Sequence, residues 1–265
     1  MSSLAMFKQM QKEGWAHFGP LEMMTTQPAA RLLHHAGVKS GMRVLDVGCG
    51  TGVVAVTAAR MGAIVTGADL TPELLDRARE NARIAGLTVE FREADVEELP
   101  FADEQFDVIV SQFAHMFAPR PEVAISQMLR VLRAGGTVAF STWPPELLVG
   151  CTMAVSARYT SPPPPGIASP ILWGDPAVIR ERLGNAVEEL VFDRDCMLVP
   201  ALSLQHFRQR VETSAGPLIK LVQQLSATDP DRLQAFRREF DAVVDHYFEG
   251  NVVRQDYLMT RARKR

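Results

Sequence analysis

Short apolar runs alternate with amphipathic stretches along the first half of the chain. This pattern is typical of an open α/β sheet, because strands that are covered on both faces are apolar throughout. The predicted strands are the run that ends at Val47 and residues 63–69, 89–95, 106–111 and 137–142. Helices are predicted over 53–60, 72–85 and 121–132, with two more over 2–19 and 27–37. This order predicts a doubly wound sheet, which binds ligands at the carboxyl ends of its strands.

The pattern changes after residue 143. Predicted helices cover 146–159 and 175–183, on either side of a stiff proline run at 162–165, and a strand covers 187–199. Helices over 204–213, 217–225 and 229–248 then precede a last strand over 257–263. An insertion of this size between the last two strands favours a cap over the substrate site. A surface for a second copy of the chain, which would make a homodimer, is the alternative.

The glycines after the first strand are a strong local signal. Gly48, Gly50 and Gly52 stand at alternate positions between a predicted strand and a predicted helix. A turn this tight needs residues without a Cβ, and the missing side chains let a ligand approach the backbone. A phosphate-binding P-loop is excluded, since no lysine follows Gly52. A dinucleotide fingerprint survives only as a variant in which Ala55 replaces the third glycine.

Two carboxylates follow the next two predicted strands. Asp69 ends the second strand, where the ribose hydroxyls of a nucleoside cofactor fall in a doubly wound sheet. Leu70 would then lie against the adenine. The alternative is that Asp69 only caps the helix that begins at Pro72. Asp95, past the third strand, is placed to accept a hydrogen bond from an adenine amino group, and the N–H of Val96 is placed to donate to the ring.

Composition and charge narrow the class of protein. Hydrophobic residues make up 47% and charged residues 22% of the 265 residues, as in soluble globular proteins. The net charge of -3 argues against nucleic acid as a partner. Cys49, Cys151 and Cys196 are too few and too scattered for a disulfide framework or a metal site. Residues 1–15 lack the core of a signal peptide, and the apolar patch at 147–151 is too short for a membrane span, so we expect a cytoplasmic protein.

Taken together, the motifs resemble those of class I S-adenosylmethionine-dependent methyltransferases, in the small-molecule branch that includes quinone and sterol methyltransferases. The matching segments are Asp46 to Gly52, Asp69, Ala94 to Phe101, Phe106-Asp107 and Leu132 to Gly136, with Ala134 where the family usually has proline. The order and spacing of the set are specific, and the match covers about residues 40–143. The resemblance implies a seven-stranded, mostly parallel sheet with an antiparallel last strand, S-adenosyl-L-methionine as cofactor and S-adenosyl-L-homocysteine as product.

The resemblance also implies a division of the site among the motifs. The turn from Asp46 through Gly48, Cys49 and Gly50 to Gly52 would hold the cofactor. Ser111 and Gln112, at the end of the fourth strand, would contact its methionine part through backbone and side-chain atoms. His115 is near the expected methyl group and would act as a base or an orienting group, with a polar wall residue as the alternative. We expect one domain, with an N-terminal helical cap (1–40), a cofactor-binding core (41–143) and a C-terminal part (144–265) that carries a cap at about 203–250.

The predicted reaction is methyl transfer to a small apolar or aromatic acceptor by in-line displacement. The helix over 2–19 would then be a lid, with Trp15, His17 or Phe18 lining the acceptor pocket, although simple packing is an equal alternative. A protein that binds the cofactor without turnover stays open. An NAD(P)-dependent reductase loses support, because no lysine stands four positions after any tyrosine, as short-chain reductases require. The sequence after the fourth strand also lacks the Pro-Pro motif of enzymes that methylate adenine or glutamine.

Overall fold

The computed structural model describes residues 2–265 and contains one central sheet. Its strands are β1 (Arg43–Val47), β2 (Ile64–Asp69), β3 (Glu90–Glu93), β4 (Phe106–Gln112), β5 (Leu132–Thr142), β6 (Val187–Pro200), β7 (Phe248–Glu249) and β8 (Val252–Lys264). They are arranged in the order β3-β2-β1-β4-β5-β8-β6, and the two-residue β7 pairs with β8. The first five strands are parallel, whereas β8 runs antiparallel to both of its neighbours. The predicted sheet with an antiparallel last strand is confirmed.

Helices cover both faces of this sheet. They are α1 (Ser3–Trp15), α2 (Thr26–His35), α3 (Val53–Arg60), α4 (Pro72–Ile84), α5 (Pro121–Val131), α6 (Leu148–Ala157), α7 (Pro176–Leu183), α8 (Leu204–Ser214), α9 (Gly216–Thr228) and α10 (Pro230–Asp245). Side chains of a strand alternate between faces, so Val108 and Val110 pack in one apolar cluster with α2 and α3. Ile109 packs in the other cluster, which includes Phe140 and Phe236. Within residues 2–265, no helix has both the length and the apolarity needed to cross a bilayer.

Several element boundaries differ from the predicted ones, three of them clearly. Helix α1 ends at Trp15, and a short 3-10 helix, Gly19–Thr25, follows it. Strand β5 already begins at Leu132, and its register with β4 shifts between Leu132 and Thr137, where Gly135 has a φ of +66°, as in a β-bulge. Strand β8 begins at Val252, where its polar start is held by pairing with β6.

Strand β6 forms one outer edge of the sheet. Two carboxylates of this strand accept hydrogen bonds from the backbone of the residue that follows each of them. Asp193 Oδ1 accepts from the N–H of Arg194 at 2.9 Å, and Asp195 Oδ1 accepts from the N–H of Cys196 at 2.8 Å. Alternate N–H groups of an edge strand face outward, so these side chains occupy donors that a further strand would use.

Candidate functional site

The glycine turn follows β1 at the carboxyl edge of the sheet. Gly48, Gly50 and Gly52 have φ values of 66°, 53° and 81°, in the left-handed region that favours glycine. The N–H groups of Gly48 and Cys49 donate to the carbonyl of Ala68 at 2.7 and 3.0 Å. These bonds fix the turn to the end of β2.

The three glycines meet different surroundings. A Cβ on Gly48 would overlap the Cβ of Ala114, and one on Gly52 would stand 2.9 Å from the Cβ of Ala78. Among residues 2–265, no atom lies within 4 Å of the position that a Cβ on Gly50 would take. Gly48 and Gly52 therefore serve packing inside the protein, while the backbone at Gly50 faces open space.

Asp69 fixes the same turn through its carboxylate. Its Oδ2 accepts from the N–H of Gly50 at 2.8 Å, and its Oδ1 accepts from the N–H of Thr71 at 2.9 Å. The side chain therefore also holds the backbone at the start of α4, which was the alternative role predicted for Asp69. Burial raises the pKa of Asp69, and the two backbone donors offset part of that rise. Each carboxylate oxygen still has a lone pair for a further donor.

Asp46, in β1, lacks such partners. The residue is 1% exposed, and within the described part of the chain neither carboxylate oxygen has a hydrogen-bond partner. Burial raises the pKa of Asp46 to about 8, the backbone N–H of Ala55 at the start of α3 offsets part of the rise, and the nearby carboxylate of Asp69 adds to it. A buried carboxyl group without a partner is costly unless a donor reaches it, so it marks a place for a ligand donor or cation.

Asp95 lies past β3, where the sequence predicted it. Its Oδ1 accepts from the N–H of Glu97 at 2.9 Å, and its Oδ2 accepts from the ammonium group of Lys8 at 2.5 Å. Val96 and Leu70 are both half-buried beside these acids. The partner Lys8, which α1 supplies, was not predicted.

The predicted residues at the end of β4 have internal partners. Ser111 Oγ donates to the carbonyl of Val47 at 2.7 Å and accepts from the N–H of His115 at 3.1 Å. Gln112 Nε2 donates to the carbonyl of Thr25 at 2.9 Å, and its Oε1 is buried without a partner within residues 2–265. Both side chains thus join β4 to neighbouring segments, and only the Gln112 oxygen keeps free capacity for hydrogen bonds.

His115 is buried in an aromatic environment. It is 2% exposed, and its ring centroid lies 4.5 Å from that of Phe140 and 4.6 Å from that of Trp173. Neither ring nitrogen has a hydrogen-bond partner in the described residues. Burial lowers the pKa of His115 to about 3, and the charge of Arg182 contributes to the shift. The imidazole is therefore neutral at pH 7.

An aromatic cluster stands at the carboxyl ends of β4 and β5. Phe113 stacks on Trp143 with ring centroids 3.8 Å apart, and Tyr257 meets Phe113 edge-on at 5.5 Å. Phe113 has a φ of 57°, an unusual conformation for a bulky residue and one that is often found at functional sites. Burial raises the pKa of Tyr257, so its hydroxyl stays protonated.

Among the predicted lid residues, Trp15 reaches this region. Its ring lies 4.9 Å from Phe117, which follows β4, and 6.1 Å from Phe18. His17 instead lines a cavity of about 200 Å³ between α1 and α9. A second cavity, of about 260 Å³, opens at the amino edge of the sheet near Lys39. We do not place the site there, because parallel α/β sheets bind ligands at the carboxyl edge.

Two polar side chains at this edge of the sheet, those of Lys8 and Glu22, were not predicted from the sequence. Lys8 reaches Asp95, and Glu22 accepts from Asn81 Nδ2 at 3.1 Å, while the same amide nitrogen donates to the carbonyl of Thr51 at 2.9 Å. Lys8 could have been found from its spacing, because Lys8 and Lys12 are one helical turn apart and could pair with the acids at 93, 95 and 97. No local pattern marked Glu22, because its role depends on a contact with a distant helix.

The donor and acceptor set of this edge fits an adenosyl cofactor. The carboxylates of Asp46 and Asp69 lie beside a turn whose backbone at Gly50 is open, and that of Asp95 follows the neighbouring strand β3. Such a set suits a ligand that offers hydroxyl, amino and cationic groups, as S-adenosylmethionine does. Within residues 2–265, no group of three or more His, Cys, Asp and Glu side chains is arranged to hold a metal ion.

Comparison with known proteins identifies the family. Residues 45–140 match the family model described as a methyltransferase domain. An uncharacterized protein of Mycobacterium tuberculosis is 32% identical over 267 residues, covering 100% of this chain and 93% of that protein. A ubiquinone biosynthesis O-methyltransferase of Pasteurella multocida is 31% identical over 166 residues, which are 58% of this chain and 69% of that enzyme.

A solved structure shares the fold. Phosphoethanolamine N-methyltransferase 2 of Haemonchus contortus, in complex with S-adenosyl-L-methionine, has a TM-score of 0.54 at 19% identity, over 90% of this chain and 52% of that one. This likeness shows the fold alone, and the family model and the sequence relatives show the family. The chain belongs to the class I S-adenosylmethionine-dependent methyltransferases, and its cofactor is S-adenosyl-L-methionine.

Proposed function

We propose that this protein transfers the methyl group of S-adenosylmethionine to a small acceptor that carries an aromatic or apolar ring. The observation that carries the proposal is the pair of buried carboxylates, Asp46 and Asp69, beside the open backbone at Gly50, with Asp95 two residues past the neighbouring strand β3. Two acids at the ends of neighbouring strands are costly to bury without a ligand that offers donors. An adenosyl group with a cationic tail meets that requirement.

Two of these acids would bind the nucleoside. The free lone pairs of Asp69 would accept from the ribose hydroxyls, and Asp95 would accept from the adenine amino group. The backbone N–H of Val96 would donate to the adenine ring, and Leu70 would pack against it. These roles agree with the positions of the four residues past β2 and β3.

Asp46 would bind the charged end of the cofactor. S-adenosylmethionine carries an ammonium group and a sulfonium, and either would supply the partner that the buried carboxylate lacks. Gly48, Cys49 and Gly52 would shape the turn around it, as the positive φ values of the two glycines and the bond from the Cys49 N–H to the carbonyl of Ala68 support.

The cofactor supplies an activated methyl group on a good leaving group. What remains for the chain is to orient the acceptor, exclude water and hold the reacting atoms in line. We assign positioning to the backbone of Ser111 and to Gln112, whose free Oε1 would accept from the cofactor or the acceptor. The helices over 1–40 and 203–250 would cover this edge.

The aromatic cluster would receive the acceptor ring. Phe113, Phe117 and Trp15, which are half-buried, would contact the ring, and the buried Trp143 and Tyr257 would hold Phe113 in place. The name of the Pasteurella relative, a ubiquinone biosynthesis O-methyltransferase, supports an aromatic acceptor.

His115 would be a packing residue rather than a base. An imidazole with a pKa of about 3 that is 2% exposed is a poor proton acceptor at pH 7. Its contacts with Phe140 and Trp173 support a role in holding the 3-10 turn after β4.

Binding of S-adenosylhomocysteine tests this proposal. We expect Asp69→Ala to weaken the affinity by about 2–4 kcal/mol, because a charged acceptor of two hydrogen bonds is lost. Isothermal titration calorimetry on the full chain measures the change. Asp69→Asn, which keeps one acceptor oxygen and the side-chain volume, should show a smaller loss.

Two controls make this result interpretable. Asp76→Asn alters an exposed carboxylate on α4 and should bind as the wild type does. Thermal unfolding of each variant shows whether the bonds from Asp69 to Gly50 and Thr71 were needed for folding. Equal affinity of Asp69→Ala and wild type would remove Asp69 from the site. Saturable binding of a nicotinamide dinucleotide, with none of S-adenosylhomocysteine, would overturn the proposed function.

A further inference from the structure

Helix α1 is joined to the acids past β3 by an ion-pair cluster. Lys8 Nζ lies 2.5 Å from Asp95 Oδ2 and 2.6 Å from Glu97 Oε2. The side chain of Lys8 is 19% exposed and that of Glu97 is 1% exposed, so solvent screens this contact only weakly. The ammonium group therefore links the N-terminal helix to the carboxylate that we assign to the adenine.

The rest of the cluster fixes Glu97 in place. Its Oε1 accepts from the backbone N–H of Arg120 at 2.7 Å, and its Oε2 accepts from the Nε and Nη2 of the same residue at 2.9 and 2.8 Å. Two cations, Lys8 and Arg120, thus balance two carboxylates, Asp95 and Glu97. Because Glu97 is held by three bonds from Arg120, it is a rigid anchor for Lys8.

The far end of α1 reaches the methyl-acceptor side. Gln11 Nε2 donates to the carbonyl of Phe117 at 2.9 Å, and Trp15 contacts the ring of Phe117. Gly14 packs against Gly216 of α9, where a Cβ on Gly14 would lie 3.1 Å from the Gly216 Cα. One helix therefore spans both the proposed adenine site and the roof of the proposed acceptor site.

We propose that Lys8 is a positioning residue of the cofactor site, which retains bound cofactor by fixing Asp95 and closing α1 over the adenine. This inference rests on the proposed function. Asp95 Oδ2 keeps a second lone pair, so the adenine amino group and Lys8 can share the carboxylate. Release of the cofactor then requires the contact between Lys8 and Asp95 to open.

Lys12, one turn further along α1, provides the matched control. It pairs with Glu93, but that carboxylate is 51% exposed and lies outside the cluster. An exposed pair of this kind contributes little, because water solvates both ions and salt screens them. Lys8 and Lys12 thus differ in burial and in partner while sharing charge and helix.

The experiment measures the dissociation rate and the affinity of S-adenosylhomocysteine by stopped-flow fluorescence and calorimetry. We expect Lys8→Met to raise the dissociation rate and the Kd about tenfold each, with the association rate changed less than about threefold. Lys8→Arg, which keeps the charge, should restore most of the retention. Lys12→Met should change either quantity by less than about twofold.

Wild-type release rates in Lys8→Met would overturn the inference, and so would equal effects of Lys8→Met and Lys12→Met. Tighter binding by Lys8→Met would also overturn it, since Lys8 would then compete with the adenine. Thermal unfolding shows whether each variant is folded, and Lys8→Gln, which also removes the charge but keeps a polar side chain, carries the test with the same expected result if Lys8→Met is not. Failure of the proposed function looks different: S-adenosylhomocysteine would then not bind to the wild type either.

Discussion

Asp46 holds a proton near neutral pH because burial raises its pKa to about 8 in the ligand-free protein. The folded-state pKa lies above the ordinary value of 3.8, so stability falls as the pH rises from about 4 to about 8. The same proton must leave before the carboxylate can pair with a cationic ligand. We therefore expect the affinity for S-adenosylhomocysteine to rise between about pH 6 and about pH 8, by at most about tenfold per unit.

Calorimetry in buffers of different ionisation enthalpy measures this proton release directly. Asp46→Asn has no titratable group at this position, so it should bind with little pH dependence and release no proton. An affinity that is flat across this pH range in the wild type would contradict the pairing of Asp46 with the cofactor.

His115 makes the opposite contribution to stability. Its folded-state pKa of about 3 lies below the ordinary 6.5, so the stability it contributes is present above about pH 6.5 and is lost as the pH falls toward 3. We expect His115→Phe to flatten this acid limb in thermal unfolding and to keep methyl transfer within about threefold. A loss of about a hundredfold or more would show that His115 is a base after all.

Some of the candidate site residues could be predicted from the sequence, and others could not. Asp69 and Asp95 were predicted because each stands where a strand ends, and in the structure Asp69 is the last residue of β2 and Asp95 follows β3 by two residues. Lys8 was not predicted, since its partner lies 87 residues away along the chain. The burial that neutralises His115 depends on Trp173, whose position no local pattern gives.

In the strand–turn–helix element, we expect Gly48 to be needed for folding and Gly50 to be needed for binding of the cofactor. Gly48→Ala should destabilise the fold, because its Cβ would overlap that of Ala114. Gly50→Ala should fold with a penalty of about 1 kcal/mol from its positive φ, but bind S-adenosylhomocysteine at least about tenfold more weakly. Thermal unfolding and calorimetry on both variants measure this contrast.

A second substitution tests whether the overlap with Ala114 is what destabilises Gly48→Ala. Ala114→Gly removes the atom that a Cβ on Gly48 would meet, so the double variant Gly48→Ala with Ala114→Gly should recover part of the lost stability. Equal stability of Gly48→Ala and wild type would contradict the tight contact, and unchanged binding by Gly50→Ala would show that no ligand uses the open space.

Elements with strong periodic patterns were predicted well, and polar ones were not. Helix α3 has the predicted bounds, because Gly52 and Gly62 mark its ends and its interior is apolar. The start of β8 was missed because Arg254, Gln255 and Asp256 show no apolar alternation. Pairing with β6 extends the strand over them, so neighbouring strands decide what local sequence leaves open.

Across the whole molecule, the segment 40–143 could be predicted from the sequence better than the helices before and after it. Residues 40–143 were readable because each motif is local and their order is specific. The contact of α1 with α9 was not, since Gly14 and Gly216 meet from opposite ends of the chain. The two segments predicted as caps, the N-terminal helix and the insertion at 203–250, therefore contact each other through α1 and α9.

The two aspartates on β6 have a consequence for how copies of the protein can meet. Strand-to-strand addition at that border would break the bonds that Asp193 and Asp195 make to Arg194 and Cys196, and it would strip water from both carboxylates. A neighbouring molecule would therefore find fewer free donors for strand pairing along this border. We expect pairing of two copies through β6 to be disfavoured to that extent.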